Sequence, residues 1–162
     1  MIRYAILSLC GKYRYTLTRR WGDAEGGVTW IMLNPSTADA ETDDPTIRRC
    51  MVFTQRLGFD ALVVVNIFAY RATDPREIVE LGGGEESQGP ENGMYIHWAC
   101  RQGKLLIAAW GSLREPLRGA ARIISKVVRG EGLALKCLGK TKDGQPRHPL
   151  YVRKDAELIE WP

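Results

Sequence analysis

Val28-Thr29-Trp30-Ile31-Met32-Leu33-Asn34-Pro35-Ser36-Thr37 is a mainly apolar run that stops at a polar corner. Its length and composition fit a buried strand covered on both faces. Pro35 removes a backbone donor and fixes φ, so the chain must turn there. Just past the strand's carboxyl end the corner offers an amide, hydroxyls and free backbone N–H groups. In open α/β sheets that edge is where ligands bind.

The same strand-then-corner pattern recurs outward from this stretch. Ala61–Asn66 (Ala-Leu-Val-Val-Val-Asn) predicts a second buried strand ending on an amide. Residues 104–110 predict a third, ending at Trp110-Gly111-Ser112, and 133–138 a fourth, followed by a loop and His148-Pro149. Between them Asp44-Pro45 reads as an N-cap with proline in the first turn. The helix it opens is expected to reach Leu57, with Ile47, Met51, Thr54 and Leu57 facing inward, and to end at Gly58. Asp74-Pro75 predicts a short helix to Leu81, and further helices are expected over 91–101 and 116–128. In the last of these Leu117, Ala120, Ala121, Ile124 and Val128 recur at helical spacing.

Alternation of apolar and polar residues over 4–21, broken at Cys10-Gly11-Lys12, predicts an antiparallel hairpin. Loops are expected at 23–27 and at the glycine-rich 82–89, and one or two helical turns at 155–161. Strands alternating with helices predict an α/β fold, a three-layer α/β/α sandwich. Its central sheet would be mostly parallel, with about four strands plus the N-terminal hairpin, in a single domain over 1–162.

The chain of 162 residues is 44% hydrophobic and 26% charged, as expected of an ordinary globular domain. It contains no apolar run near the ~20 residues that span a bilayer, and residues 1–4 lack the apolar core of a signal peptide. A cytoplasmic location and no membrane partner are expected. The net charge of +4 is compatible with a nucleic-acid partner but selects none. Cys10, Cys50, Cys100 and Cys137 stand singly, without a Cys-x-x-Cys pair, and only His97 and His148 accompany them. That argues for reduced thiols and against a metal site. No cofactor is expected.

Three motifs, Leu33-Asn34-Pro35-Ser36-Thr37-Ala38, Asp44-Pro45-Thr46-Ile47-Arg48-Arg49 and Ala109-Trp110-Gly111, make the chain resemble DUF1643, a family of uncharacterised bacterial and phage proteins. The succession of corners also resembles, more remotely, the uracil-DNA glycosylase superfamily. That second resemblance implies base flipping, followed by hydrolysis of the N-glycosidic bond to an abasic site. Asn34, in the corner with Pro35 and Ser36, would position the attacking water. Since an amide orients water but cannot accept its proton, hydrolysis would lean on a dissociative, oxocarbenium-like transition state. One of the carboxylates Asp39, Asp43 and Asp44 could supply a base, with Asp43 taken as the catalytic candidate and Asp44 as the helix cap. Asn66 would read the base edge, Phe68 or Tyr70 would stack on it, and Arg71 would meet a phosphate. Gly111 and Ser112 would let the backbone approach DNA, while Trp110 reads as core.

Arg147-His148-Pro149-Leu150-Tyr151 resembles the superfamily's His-Pro-Ser-Pro loop, with Leu150-Tyr151 in place of Ser-Pro. By that resemblance His148 would donate to the departing base, Arg147 would touch DNA, and Leu150 or Tyr151 would fill the space the base leaves. Lys136, Lys140, Lys142, Arg153 and Lys154 could complete a basic rim. The expected partner is DNA, single-stranded or duplex, and the target a base that need not be uracil and could be chemically modified. Two alternatives stay open, a non-catalytic DNA-binding module of this fold and a hydrolase of free nucleosides or nucleotides. A monomer is expected.

Overall fold

A computed structural model describes residues 1–23 and 25–162. The central run becomes strand β3 (Val28–Met32), buried at every position. It pairs in parallel with β4 (Ala61–Asn66) on one side and β5 (Leu105–Ala108) on the other, and β5 pairs in parallel with β6 (Leu135–Cys137). The N-terminal alternation forms the antiparallel pair β1 (Ile2–Leu7) and β2 (Arg14–Arg20), and β2 adds antiparallel to β4. The resulting seven-stranded sheet runs β1-β2-β4-β3-β5-β6-β7, where β7 is Ile159–Trp161.

Side-chain alternation along the parallel strands feeds two cores. Val28, Trp30 and Met32 of β3, Leu62 and Val64 of β4 and Ile107 of β5 pack under helix α1 (Pro45–Arg56). Ile31, Val65, Leu106 and Ala108 face the opposite layer, α2 (Arg76–Glu80), α4 (Asn92–Gln102) and α5 (Leu117–Gly130). This is the α/β sandwich expected from the strand–helix alternation. From β3 the chain crosses to β4 on one side, then returns past β3 to β5 on the other. The connections therefore diverge between β3 and β5, the switch point at which open sheets leave a crevice.

Asp44 caps α1 as expected, its side chain accepting from the Ile47 N–H at 2.8 Å. The inner face is rotated from the expected one. Ile47, Cys50, Phe53 and Thr54 are buried, whereas Met51 and Leu57 pack at its margin. Two expectations fail. The glycine-rich 82–89 contains a helical turn, α3 (Glu85–Gln88), tied by Ser87 Oγ donating to the Gly84 carbonyl at 2.8 Å. The tail is not helical: Ile159–Trp161 pairs antiparallel with β6, and Trp161 stacks edge-on against Trp110 with centroids 5.5 Å apart. The loop expected at 23–27 includes Ala24, which lies outside the described residues. Among the described residues no helix is long and apolar enough to cross a membrane.

Candidate active site

The carboxyl ends of β3, β4 and β5 open into a cleft of about 500 Å³ at the switch point. Asn34 and Ser36 enter it from the corner after β3, Asn66 from the last residue of β4, and Trp110, Gly111 and Ser112 from the corner after β5. Arg147, His148 and Tyr151 close it from the loop after β6. A nucleobase-sized ligand fits a volume of this order.

Asn34, Asn66 and His148 each have one end committed and one end open. Asn34 Nδ2 donates to the carbonyls of Ala72 at 2.8 Å and Pro35 at 3.1 Å, which ties the corner to the segment after β4. No donor among the described residues reaches its Oδ1. Asn66 is the converse. Its Oδ1 accepts from Arg14 Nη2 at 3.3 Å, and because a guanidinium only donates, the amide is oriented with Nδ2 as the open end. The Asn66 carbonyl is held by Asn92 Nδ2 at 2.9 Å, so α4 braces the strand end.

His148 Nδ1 accepts from the Leu150 N–H at 3.3 Å, which puts the proton of the neutral ring on Nε2, a donor. Burial pushes the imidazole below its ordinary pKa and Asp44 pulls the other way, so near neutral pH the ring is uncharged. Gly111 has φ of +81°, and a Cβ there would stand 3.5 Å from His148 Cβ. The loop is anchored from beneath by Arg49 of α1, which donates to the carbonyls of Pro149 at 3.2 Å and Val152 at 2.5 Å.

Asp44 is the one carboxylate among the described residues lining the cleft. Its Oδ1 caps α1, and no described donor reaches Oδ2. Asp43, the sequence's candidate base, is elsewhere: it bridges Arg3 at 2.8 Å and Arg19 at 2.7 Å and does not line the cleft. Asp39 closes its own turn, accepting from the Glu41 and Thr42 N–H groups.

Several other candidates are not brought to the cleft. Phe68 is wholly buried in the core, where its ring cannot meet a base. Tyr70 packs edge-on against Tyr13 at 6.1 Å. Arg71 donates to the Gly11 carbonyl at 3.3 Å, near the hairpin turn. Pro35 is buried, and its carbonyl accepts from the Ala72 N–H at 2.9 Å, so it shapes the corner without lining the cavity. Leu150 is 41% exposed outside the cleft, whereas Tyr151 lines it with its ring 5.6 Å from that of His148. Ser112 Oγ donates to Asp143 Oδ1 at 3.0 Å. Of the expected basic rim only Arg147 lines the cleft: Lys136 pairs with Glu160 at 3.0 Å and Arg153 with Asp155 at 2.9 Å.

The residue that sequence reading missed is Arg14. It is 2% exposed, lines the cleft, and donates through Nη1 to the Ala38 carbonyl at 2.7 Å as well as to Asn66. Simple alternation in a hairpin assigns one face to solvent, but β2 is an interior strand flanked by β1 and β4. Among the described residues no cluster of His, Cys, Asp and Glu could hold a metal ion.

No curated protein and no solved structure matches the chain. The model of the family described as a protein of unknown function, DUF1643, matches residues 14–150. That span runs from Arg14 through the His148-Pro149 loop and takes in every corner of the cleft, and the chain belongs to the DUF1643 family.

Proposed function

We propose that the protein hydrolyses the N-glycosidic bond of a nucleotide extruded from DNA, leaving an abasic site. One observation carries the reading. Asn34, Asn66 and His148, from three separate corners, line one cleft with an acceptor, a donor and a donor uncommitted. The roles follow the remote resemblance to the uracil-DNA glycosylase superfamily.

Asn66 Nδ2 donates to the edge of the flipped base, and Asn34 Oδ1 accepts from a water below the sugar. As the bond between C1′ and the base nitrogen lengthens, its electron pair leaves with the base. Negative charge grows on the base carbonyl, where His148 Nε2–H donates. One such hydrogen bond in a dry site is worth roughly 3 kcal/mol to the transition state. The water oxygen bonds C1′ and its proton passes to Asp44 Oδ2, the base role that the sequence had assigned to Asp43.

A second reading, hydrolysis of free nucleotides, is favoured by the rim of the cleft, which of the expected basic residues is lined only by Arg147. The test is incubation with single-stranded and duplex oligonucleotides carrying natural and modified bases, followed by alkali to cut abasic sites. Cutting at one base type supports the DNA reading. Release of base from mononucleotides alone supports the second, and tight DNA binding without release identifies a non-catalytic module.

A further inference from the structure

The buried guanidinium of Arg14 makes no ion pair with a described residue. No carboxylate of a described residue lies within salt-bridge distance of it, in contrast to Arg19 on the same strand, which pairs with Asp43 at 2.7 Å. Of its five N–H groups, two have acceptors, the Ala38 carbonyl and Asn66 Oδ1, and Nε is sealed from solvent with no acceptor at all. A charged group in that position is held against a large desolvation penalty.

We propose that Arg14 makes the floor of the cleft an oxyanion subsite, so that the ligand carries a phosphate or carboxylate group which enters beside Asn66. The proposal rests on the reading of this cleft as a nucleotide site and narrows it to a ligand with an anionic oxygen at the Asn66 end. Desolvation pushes the Arg14 pKa down to about 10, Arg71 and Arg19 push it the same way, and Asp44 and Asp39 oppose them. An incoming oxyanion meets a strong field with little water to screen it, and the fork of a guanidinium matches two oxygens of a phosphate or carboxylate. Asp44, on the wall of the same cleft, sets the other pole. The ligand therefore has to be anionic at one end and free of negative charge near Asp44.

The oxyanion has two possible sources, a nucleotide phosphate or a carboxylate borne by a modified base, and the test separates them. Equilibrium binding to the full chain is measured by calorimetry with the four deoxynucleosides, their 5′-monophosphates, 5-carboxydeoxycytidine and inorganic phosphate. At least one anionic ligand is expected to bind about tenfold or more tighter than its neutral counterpart. Preference for 5-carboxydeoxycytidine assigns the base and keeps its edge on Asn66, whereas preference for the monophosphates assigns the phosphate and moves the base edge away from Asn66. Arg14→Gln should abolish the preference, Arg14→Lys should keep part of it, and Arg147→Gln at the rim should keep more of it than Arg14→Gln does.

Equal affinity of wild type for charged and neutral members, or no binding of any anionic member, overturns the subsite even if Arg14→Gln fails to fold. Because no turnover is read, absence of base release would reject the hydrolytic reading and leave this result standing.

Discussion

Arg14 Nη2 donates to Asn66 Oδ1 at 3.3 Å, and that single contact decides which end of the Asn66 amide is left for a ligand. A strand-terminal asparagine free to flip would offer either a donor or an acceptor. Here the acceptor is spent on a guanidinium that can only donate, and the N–H₂ end is the one presented. The orientation of the Asn66 amide in the cleft is therefore set by a residue 52 positions away along the chain.

Two substitutions at Asn66 separate binding from stability. Asn66→Asp gives Arg14 a carboxylate partner and removes the N–H donor. It should melt within about 3 °C of wild type or above it, while base release falls about 100-fold. Asn66→Ala deprives a buried charged donor of its acceptor and should lose about 1–3 kcal/mol of stability as well as activity. Thermal melts and single-turnover rates on the same preparations check both.

The pH dependence follows from His148. Its folded pKa lies below the ordinary 6.5 because burial disfavours the charged ring. On acidification the unfolded chain takes up this proton first, so stability rises with pH through a window that ends near 6.5 and starts at the lower folded value. Protonation leaves the Nε2–H in place but puts a proton on Nδ1, which breaks the Leu150 N–H contact that aims the ring. Base release should therefore be flat above pH 6.5 and fall on the acid side with a midpoint below it. His148→Gln should lower the plateau by about 100-fold.

Asp44 holds two roles that different replacements pull apart. Asp44→Ala removes the cap of α1, at about 1 kcal/mol, together with the carboxylate in the cleft. Asp44→Ser restores a good cap without a base. Both variants should lose about 100-fold or more in base release, but only Asp44→Ala should melt clearly lower. Equal activity of Asp44→Ser and wild type would remove Asp44 from the chemistry.

Asp43 should behave in the opposite way. Its carboxylate neutralises Arg19, whose side chain is fully buried, so Asp43→Ala leaves a buried cation facing only carbonyls. A loss of about 3 kcal/mol is expected in denaturant unfolding. The rate per folded molecule should be unchanged, since the residue does not reach the cleft.

The parallel sheet was legible because β3 and β4 are apolar at consecutive positions, a pattern that only a strand covered on both faces tolerates. The corners were legible for the same reason, as the points where that pattern stops. β7 was not, since three residues are too few to show a period and Ile159–Trp161 is held in place by pairing with β6. The helical turn at Glu85–Gln88 was masked by the four glycines that flank it. Asn34, Asn66, Gly111 and His148, picked out from the strand ends, line one cleft. Asp43 and Phe68 lie away from the cleft, since sequence position says nothing about which way a side chain leaves the backbone. Arg14 was hidden because its burial is tertiary, with Ala38 after β3 and Asn66 at the end of β4 holding its guanidinium.

The central claim is that Asn34 and His148 act on one bound nucleotide, and single-turnover release of free base, followed by mass spectrometry on the best substrate of the oligonucleotide panel, tests it most directly. Wild type should release one base per active protein, and Asn34→Ala and His148→Ala should each slow that release about 100-fold per folded molecule. Release at the wild-type rate in either variant, or no base released from any substrate in the panel, would contradict it.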